Sequence, residues 1–126
     1  MKDLILEKTK YTLQVNFNTQ KGVLEMSGSS YPENAMEFFT PIFEHLSEYV
    51  SNVKKDLTVD IRIDYLNTSS TKCILDFLEM LESYHLDGYK VTVNWHYESD
   101  DEDMLETGEE MAEDINLPIY FFPYER

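Results

Sequence analysis

The sequence is short of cysteine, glycine, proline and positive charge, and each shortage removes a class of protein. There is one cysteine, Cys73, in 126 residues. No internal disulfide can form, so stability has to come from a hydrophobic core, as in a reducing compartment. Cys73 lies within a helical pattern with no histidine at a useful spacing, and it reads as a small buried hydrophobe rather than a nucleophile. Four glycines and four prolines leave no material for a low-complexity linker. No internal repeat is present. Long apolar runs are missing too: the longest charge-free stretches, Tyr11–Gln20 and Ile115–Tyr124, are ten residues each, about half of what a membrane-spanning helix needs. The opening Met1-Lys2-Asp3-Leu4 has no apolar stretch of the kind a secretory signal carries, and we expect a cytoplasmic protein.

Basic residues number 10 against 25 acidic ones, a net charge of −15. Residues 98–126 hold 11 of the acids and one base. Such a surface repels nucleic-acid phosphates and anionic membranes and complements a protein partner with a basic face. Catalytic signatures are also lacking. No glycine-rich phosphate loop, nucleophile elbow or Cys/His cluster occurs. His45, His85 and His96 share no motif. The acidic run Glu98-Ser99-Asp100-Asp101-Glu102-Asp103 has neither the central glycine nor the closing glutamate of an EF-hand loop. Its last four acids instead suit a helix N-terminus, where negative charge meets the positive end of the helix dipole. An enzyme is therefore not expected, and neither a cofactor nor a metal is implied.

What is present is a strong pattern. Hydrophobic residues make up 42% of the chain, enough for a single domain over residues 1–126 that buries roughly two-thirds of its unfolded surface. Leu4-Ile5-Leu6 reads as an edge strand. Tyr11, Leu13, Val15 and Phe17 alternate along a second strand, and Gly22–Met26 returns to make a hairpin. Ser30 with Glu33 forms a capping-box pattern ahead of a helix whose stripe is Ala35, Phe38, Phe39, Ile42, Leu46, Tyr49 and Val50. Pro41 falls inside that stripe and predicts a kink or break.

Leu57, Val59, Ile61, Ile63 and Tyr65 alternate with polar residues, and Tyr89–Tyr97 repeats the alternation. One sheet face should therefore be open to solvent. Between these strands runs a helix with the stripe Ile74, Leu75, Phe77, Leu78, Leu81 and Tyr84, ended by Gly88. A third helix fits Asp101–Asp114 despite Gly108, with Met104, Leu105, Met111, Ala112 and Ile115 inward. A last strand, Leu117–Phe122, is entered through Pro118 and stopped by Pro123. The predicted fold is α/β: a two-layer βββαβαβαβ domain with a mixed sheet and helices mainly on one face.

The stretch that invites a functional reading is Tyr65-Leu66-Asn67-Thr68-Ser69-Ser70-Thr71-Lys72. Four hydroxyl residues open the second helix. They can serve purely as structural caps for first-turn N–H groups. They can also display a phosphorylatable hydroxyl where amides and the helix dipole accept negative charge. Composition and spacing leave the four equivalent.

A strand ending in Tyr65 with Asn67-Thr68-Ser69-Ser70 opening a helix resembles the phosphorylation loop of STAS domains, the fold of the anti-sigma-factor antagonists. The closer resemblance covers nearly the whole chain and is to the SiaC-type regulatory phosphoproteins. It is carried by Gly28-Ser29-Ser30-Tyr31-Pro32-Glu33-Asn34-Ala35 with Phe38-Phe39 and Pro41-Ile42, and by Tyr65-Leu66-Asn67-Thr68-Ser69-Ser70 with Lys72. Trp95-His96-Tyr97 leading into Asp101-Glu102-Asp103-Met104, and the tail Ala112-Glu113-Asp114 with Leu117-Pro118, complete it.

The resemblance implies a STAS-like fold and a partner switch. A protein kinase would phosphorylate Thr68 and a PP2C-type phosphatase would reverse it. The unphosphorylated form would bind and activate a diguanylate cyclase, raising cyclic-di-GMP and favouring biofilm. Asn67, Ser69 and Ser70 would shape the switch loop. Tyr65, Lys72, Asp100, Asp101, Glu102 and Asp103 are the expected partner contacts. The competing expectation is a constitutive acidic adaptor that docks through the segment around Asp101–Asp114 without phosphorylation.

Overall fold

The alternation of apolar and polar residues is met by a six-stranded mixed sheet in the computed structural model, which describes residues 1–126. In chain order the elements are β1 (Leu4–Leu6), β2 (Gln14–Asn18), β3 (Val23–Ser30), α1 (Ala35–Glu48), β4 (Leu57–Leu66), α2 (Thr68–Leu86), β5 (Val91–Glu98), α3 (Glu102–Glu113) and β6 (Ile119–Tyr124). A π-helical turn, Tyr49–Val53, extends α1. The strands lie side by side in sequence order. β1–β2–β3 are antiparallel, and β3 through β6 are parallel. The three crossovers each step one strand in the same direction, so connections of one hand stack all three helices on one face. This is the predicted βββαβαβαβ order.

The core lies between that face and the helices. Trp95, Tyr49, Phe17, Phe39 and Phe77 are its largest fully buried side chains. Along β4 and β5, Val59, Ile61, Val93 and Trp95 are buried, while Asp60, Arg62, Asn94 and His96 face the open side. There the Asn94 amide donates to Asp60 at 2.9 Å and His96 stacks on Phe122. No helix is long and apolar enough to cross a membrane.

Local expectations were corrected in five places. Tyr11 is not part of the buried row: β2 begins at Gln14, and Tyr11 is exposed against Tyr31. Ser30 does not cap α1. It ends β3, fully buried, and Asn34 is the cap, its side chain accepting from the Glu37 amide at 3.1 Å. Pro41 does not break α1, which is helical from Ala35 to Glu48. Its ring sits on the exposed side of the helix, and the loss of one backbone bond is outweighed by burial of Phe39, Ile42 and Leu46 on the other side. Pro123 does not stop β6 but pairs within it, opposite Tyr97. An edge strand tolerates proline because its outward N–H sites need no partner.

The fifth correction bears on the site. Tyr65 was expected on the core face, but it is 54% exposed. The pairing of β3 with β4 shifts between Gly28 and Ser29: Gly28 faces Ile63, Ser29 faces Tyr65, and Asp64 is the extra residue. This β-bulge reverses the pleat. Leu66 turns toward the core and Tyr65 turns out, beside Tyr31 at 5.8 Å.

Tyr84 supplies a pH-dependent prediction. It is 3% exposed, its hydroxyl donates to the Lys55 carbonyl, and its ring stacks on Tyr89. Burial pushes its pKa from 10.0 up to about 12. The unfolded chain therefore loses this proton first. The contribution is complete below pH 10 and is lost as pH rises toward 12. Urea midpoints of the wild type should fall between those two pH values by more than those of Tyr84→Phe. Equal slopes would refute it.

Candidate functional site

The bulge delivers the chain to the carboxyl end of β4, where Leu66 leaves the sheet and Asn67 caps α2. Asn67 is extended, with φ −80° and ψ 174°. Its side-chain oxygen accepts from the Ser70 amide at 2.9 Å, its own amide donates to the Ser30 carbonyl at 2.9 Å, and its carbonyl accepts from the Thr71 amide at 2.9 Å. Its side-chain NH2 reaches the Pro32 carbonyl at 3.4 Å. The amides of Thr68 and Ser69 have no intrahelical acceptor, as at any helix start.

The structure separates the four hydroxyls that spacing left equivalent. Ser70 is fully buried, and its hydroxyl lies 2.7 Å from that of Ser30. Thr71 donates to the Asn67 carbonyl at 3.0 Å. Ser69 is exposed and leans 3.4 Å from the Asn67 side-chain oxygen. Thr68, the first helical residue, is exposed, and its hydroxyl bonds to no other protein group. One turn on, Lys72 is exposed and pairs with Asp76 at 2.7 Å. That hydrogen bond raises the lysine pKa above its ordinary value and keeps it a full cation.

Tyr65, Asn67, Thr68, Ser69 and Lys72 therefore share one end of the molecule, with Ser70 directly beneath. Asp100–Asp103 lie at the same edge of the sheet, since α3 follows β5 as α2 follows β4. Asp101 caps α3, accepting from the Met104 amide at 3.0 Å, and Glu102 and Asp103 occupy the first turn. None of these acids bonds to the Thr68 loop. Ser30, Tyr31 and Pro32 support that loop and were not read as part of it. Alternation along β3 carried the signal, because Leu24, Met26, Gly28 and Ser30 fall on one buried face. Cys73 is buried, and burial pushes its thiol pKa up, which makes it a poor nucleophile. No three His, Cys, Asp or Glu side chains converge as metal ligands.

The buried hydroxyl pair predicts a stability effect. Ser70→Ala strands the Ser30 hydroxyl without a partner and should cost about 1–3 kcal/mol. The Ser30→Ala/Ser70→Ala double variant removes both ends and should cost less than the sum of the singles. Denaturant unfolding of all four chains checks this, and strict additivity would refute the coupling.

Fold and site together define a small α/β domain that displays a hydroxyl at a helix start, with no converging group of metal-ligating side chains. The chain belongs to the SiaC family of regulatory phosphoproteins, which matches residues 6–124. It is 37% identical over 119 residues, 94% of each chain, to an uncharacterised protein of Pseudomonas aeruginosa strain UCBPP-PA14. It is similar to the solved structure of SiaC of Pseudomonas aeruginosa, with a TM-score of 0.92 and 35% identity over 98% of this chain and 100% of that one. The structure of the diguanylate cyclase SiaD in complex with its activator SiaC, from the same organism, matches with a TM-score of 0.93 and 35% identity, covering 97% of this chain and 100% of that one.

Proposed function

We propose that this protein is a non-enzymatic switch, reversibly phosphorylated at Thr68 in the cytoplasm, whose unphosphorylated form binds and activates a diguanylate cyclase and so controls cyclic-di-GMP. A protein kinase adds the phosphate and a PP2C-type phosphatase removes it. The observation that carries the reading is the Thr68 hydroxyl. It is the exposed member of its cluster with no hydrogen-bond partner, and it sits at a helix start that favours a phosphate dianion. Asn67, Ser69 and Ser70 hold the loop, while Tyr65, Lys72 and the acids Asp100, Asp101, Glu102 and Asp103 face the partners. Family membership supports the regulatory role, and SiaC of Pseudomonas aeruginosa, described as the activator of SiaD, supports the choice of output.

The switch follows from charge. A phosphate adds about −1.5 to −2 charges at Thr68. A cyclase surface fitted to a neutral hydroxyl would have to desolvate that charge without a partner for it, and it releases. The test adds the unphosphorylated and the Thr68-phosphorylated chains separately to a purified diguanylate cyclase of the same genome and follows cyclic-di-GMP. Strong stimulation by the unphosphorylated chain alone is expected. Equal stimulation by both forms would sink the switch. Loss of binding on neutralising Asp100–Asp103, with no effect of Thr68 phosphorylation, would identify a constitutive adaptor instead.

A further inference from the structure

Thr68, Lys72 and Asp76 stand four residues apart on α2, so they form one row along the helix surface, about one turn from each to the next. Lys72 pairs forward with Asp76 at 2.7 Å. Behind it lies the exposed Thr68. Thr68 and Lys72 both line a cleft of about 730 Å³ between α2 and α3. The other charged residues of that lining are Glu79, Glu82, Glu110 and Asp114, so Lys72 is the one cation beside Thr68 there.

We propose that Lys72 exchanges partners when Thr68 is phosphorylated: its ammonium leaves the Asp76 carboxylate and binds the phosphate one turn back, and Asp76 is left without a counter-charge. The inference rests on the switch reading above for the phosphate itself. It adds a positioning residue for that phosphate and a second change of charge farther along α2.

The row favours the exchange on three grounds. Helical side chains lean toward the N-terminus of their helix, so Lys72 lies over the turn that carries Thr68 and has to turn against that lean to reach Asp76. An acid four residues before a lysine pairs better than one four residues after it. Phosphothreonine at 68 stands before Lys72, and Asp76 stands after. The phosphate also carries about −1.5 to −2 charges and three acceptor oxygens, against a single charge on Asp76. The existing pair is placed to give way, because its side chains are 68% and 38% exposed, and solvated pairs of this kind add little stability.

The consequence is a surface that changes in two places. Without phosphate, the row carries a neutral hydroxyl and a closed Lys72–Asp76 pair. With phosphate, it carries a clamped phosphate and a bare Asp76, eight residues or about 12 Å along the helix. Bare Asp76 then adjoins Glu79 on the next turn. A partner fitted to the first surface meets uncompensated negative charge well beyond the modified residue.

The test uses the full chain with phosphothreonine installed at position 68 during synthesis, so that no kinase is needed. It is compared with the unphosphorylated chain and with Lys72→Gln, Lys72→Arg and Asp76→Asn versions of both. Lys72 is largely exposed, so these variants should keep the fold. Phosphorus NMR follows the phosphate through its second ionisation, near pH 6 for an ordinary phosphothreonine. Lys72 favours the dianion. The wild-type phosphate should therefore bind its proton about twofold more weakly than that of Lys72→Gln, the scale of one exposed i,i+4 pair. Lys72→Arg should restore the wild-type titration, and Asp76→Asn should leave proton affinity at or below the wild-type value. The Asp76 carboxylate carbon signal should move on phosphorylation in the wild type and stay in place in Lys72→Gln.

Equal phosphate titration in the wild type and Lys72→Gln, or a wild-type Asp76 signal indifferent to phosphorylation, would overturn the proposal. A synthetic phosphothreonine clamped by Lys72 in a chain that no kinase of the same genome modifies at Thr68 defeats the switch reading alone. A chain modified normally at Thr68 whose phosphate ignores Lys72 defeats this inference alone.

Discussion

A Thr68→Ala chain is expected to take up no phosphate from the proposed kinase, while Ser69→Ala, Ser70→Ala and Thr71→Ala chains still do. Intact-mass measurement after incubation with kinase and ATP reads this directly. The expectation comes from what each hydroxyl is already doing. Phosphorylating Ser70 would require opening a fully buried contact with Ser30 at 2.7 Å and unwinding the first turn of α2. The Thr71 hydroxyl is bound to the Asn67 carbonyl, and the Ser69 hydroxyl leans on the same cap through its side-chain oxygen. Thr68 alone can enter a kinase site without breaking a protein hydrogen bond. Phosphate there should also stabilise the fold. A dianion beside the unsatisfied first-turn amides is worth about 0.3–1 kcal/mol, so the phosphorylated chain should melt slightly higher than the free one. Uptake undiminished in Thr68→Ala would move the switch to Ser69. A lower melting temperature on phosphorylation would show that the phosphate does not sit at the helix start.

How far the sequence could lead is visible along β4. Its alternation announced a half-buried strand and placed the hydroxyl cluster at the sheet rim, and both are so. The alternation also put Tyr65 inward, because a pattern of period two carries no sign of the residue at which pairing slips. Asp64 became a bulge because the pairing of β4 slips there against β3, a strand about 35 positions earlier in the chain, and only the assembled sheet shows that relation. The same limit explains Ser30. Locally it looks like a helix cap, and tertiary structure spends it on Ser70. Pro41 and Pro123 were over-read because local backbone rules take no account of which side of an element faces solvent. Thr68 was singled out from its neighbours by resemblance. The distinguishing fact, that its three neighbours are engaged and it is not, lies in hydrogen bonds across Asn67 and β3. The cleft between α2 and α3, lined by Leu75, Met111 and Ile115, has no counterpart in any one stretch of sequence, since it joins Leu75 to residues 36 and 40 positions on.

Gly108→Leu is expected to unseat α3, costing at least about 3 kcal/mol out of the roughly 5–15 kcal/mol typical of a folded domain. Read from propensity alone, a glycine within a helix is a defect of about 1 kcal/mol, and filling it should help. The packing reverses that sign. A Cβ at Gly108 would stand 2.7 Å from the Trp95 ring and 2.9 Å from Phe121, and Trp95 is fully buried and cannot yield. α3 has to lift instead. It then exposes Met104 and Met111, each worth about 1.5–3 kcal/mol of burial, and removes the Met104 carbonyl that accepts from the Trp95 indole N–H at 3.2 Å. Trp95 is the sole tryptophan, so its fluorescence reports this seat alone and should shift to the red as the indole meets water. Gly108→Ala should show the same shift in smaller degree, with the helix gain offsetting part of the clash. Thr68 is held by β3, β4 and α2, so phosphate uptake should survive wherever the variant still folds. A fully stable Gly108→Leu chain whose fluorescence stays blue would show that α3 can sit elsewhere on the sheet.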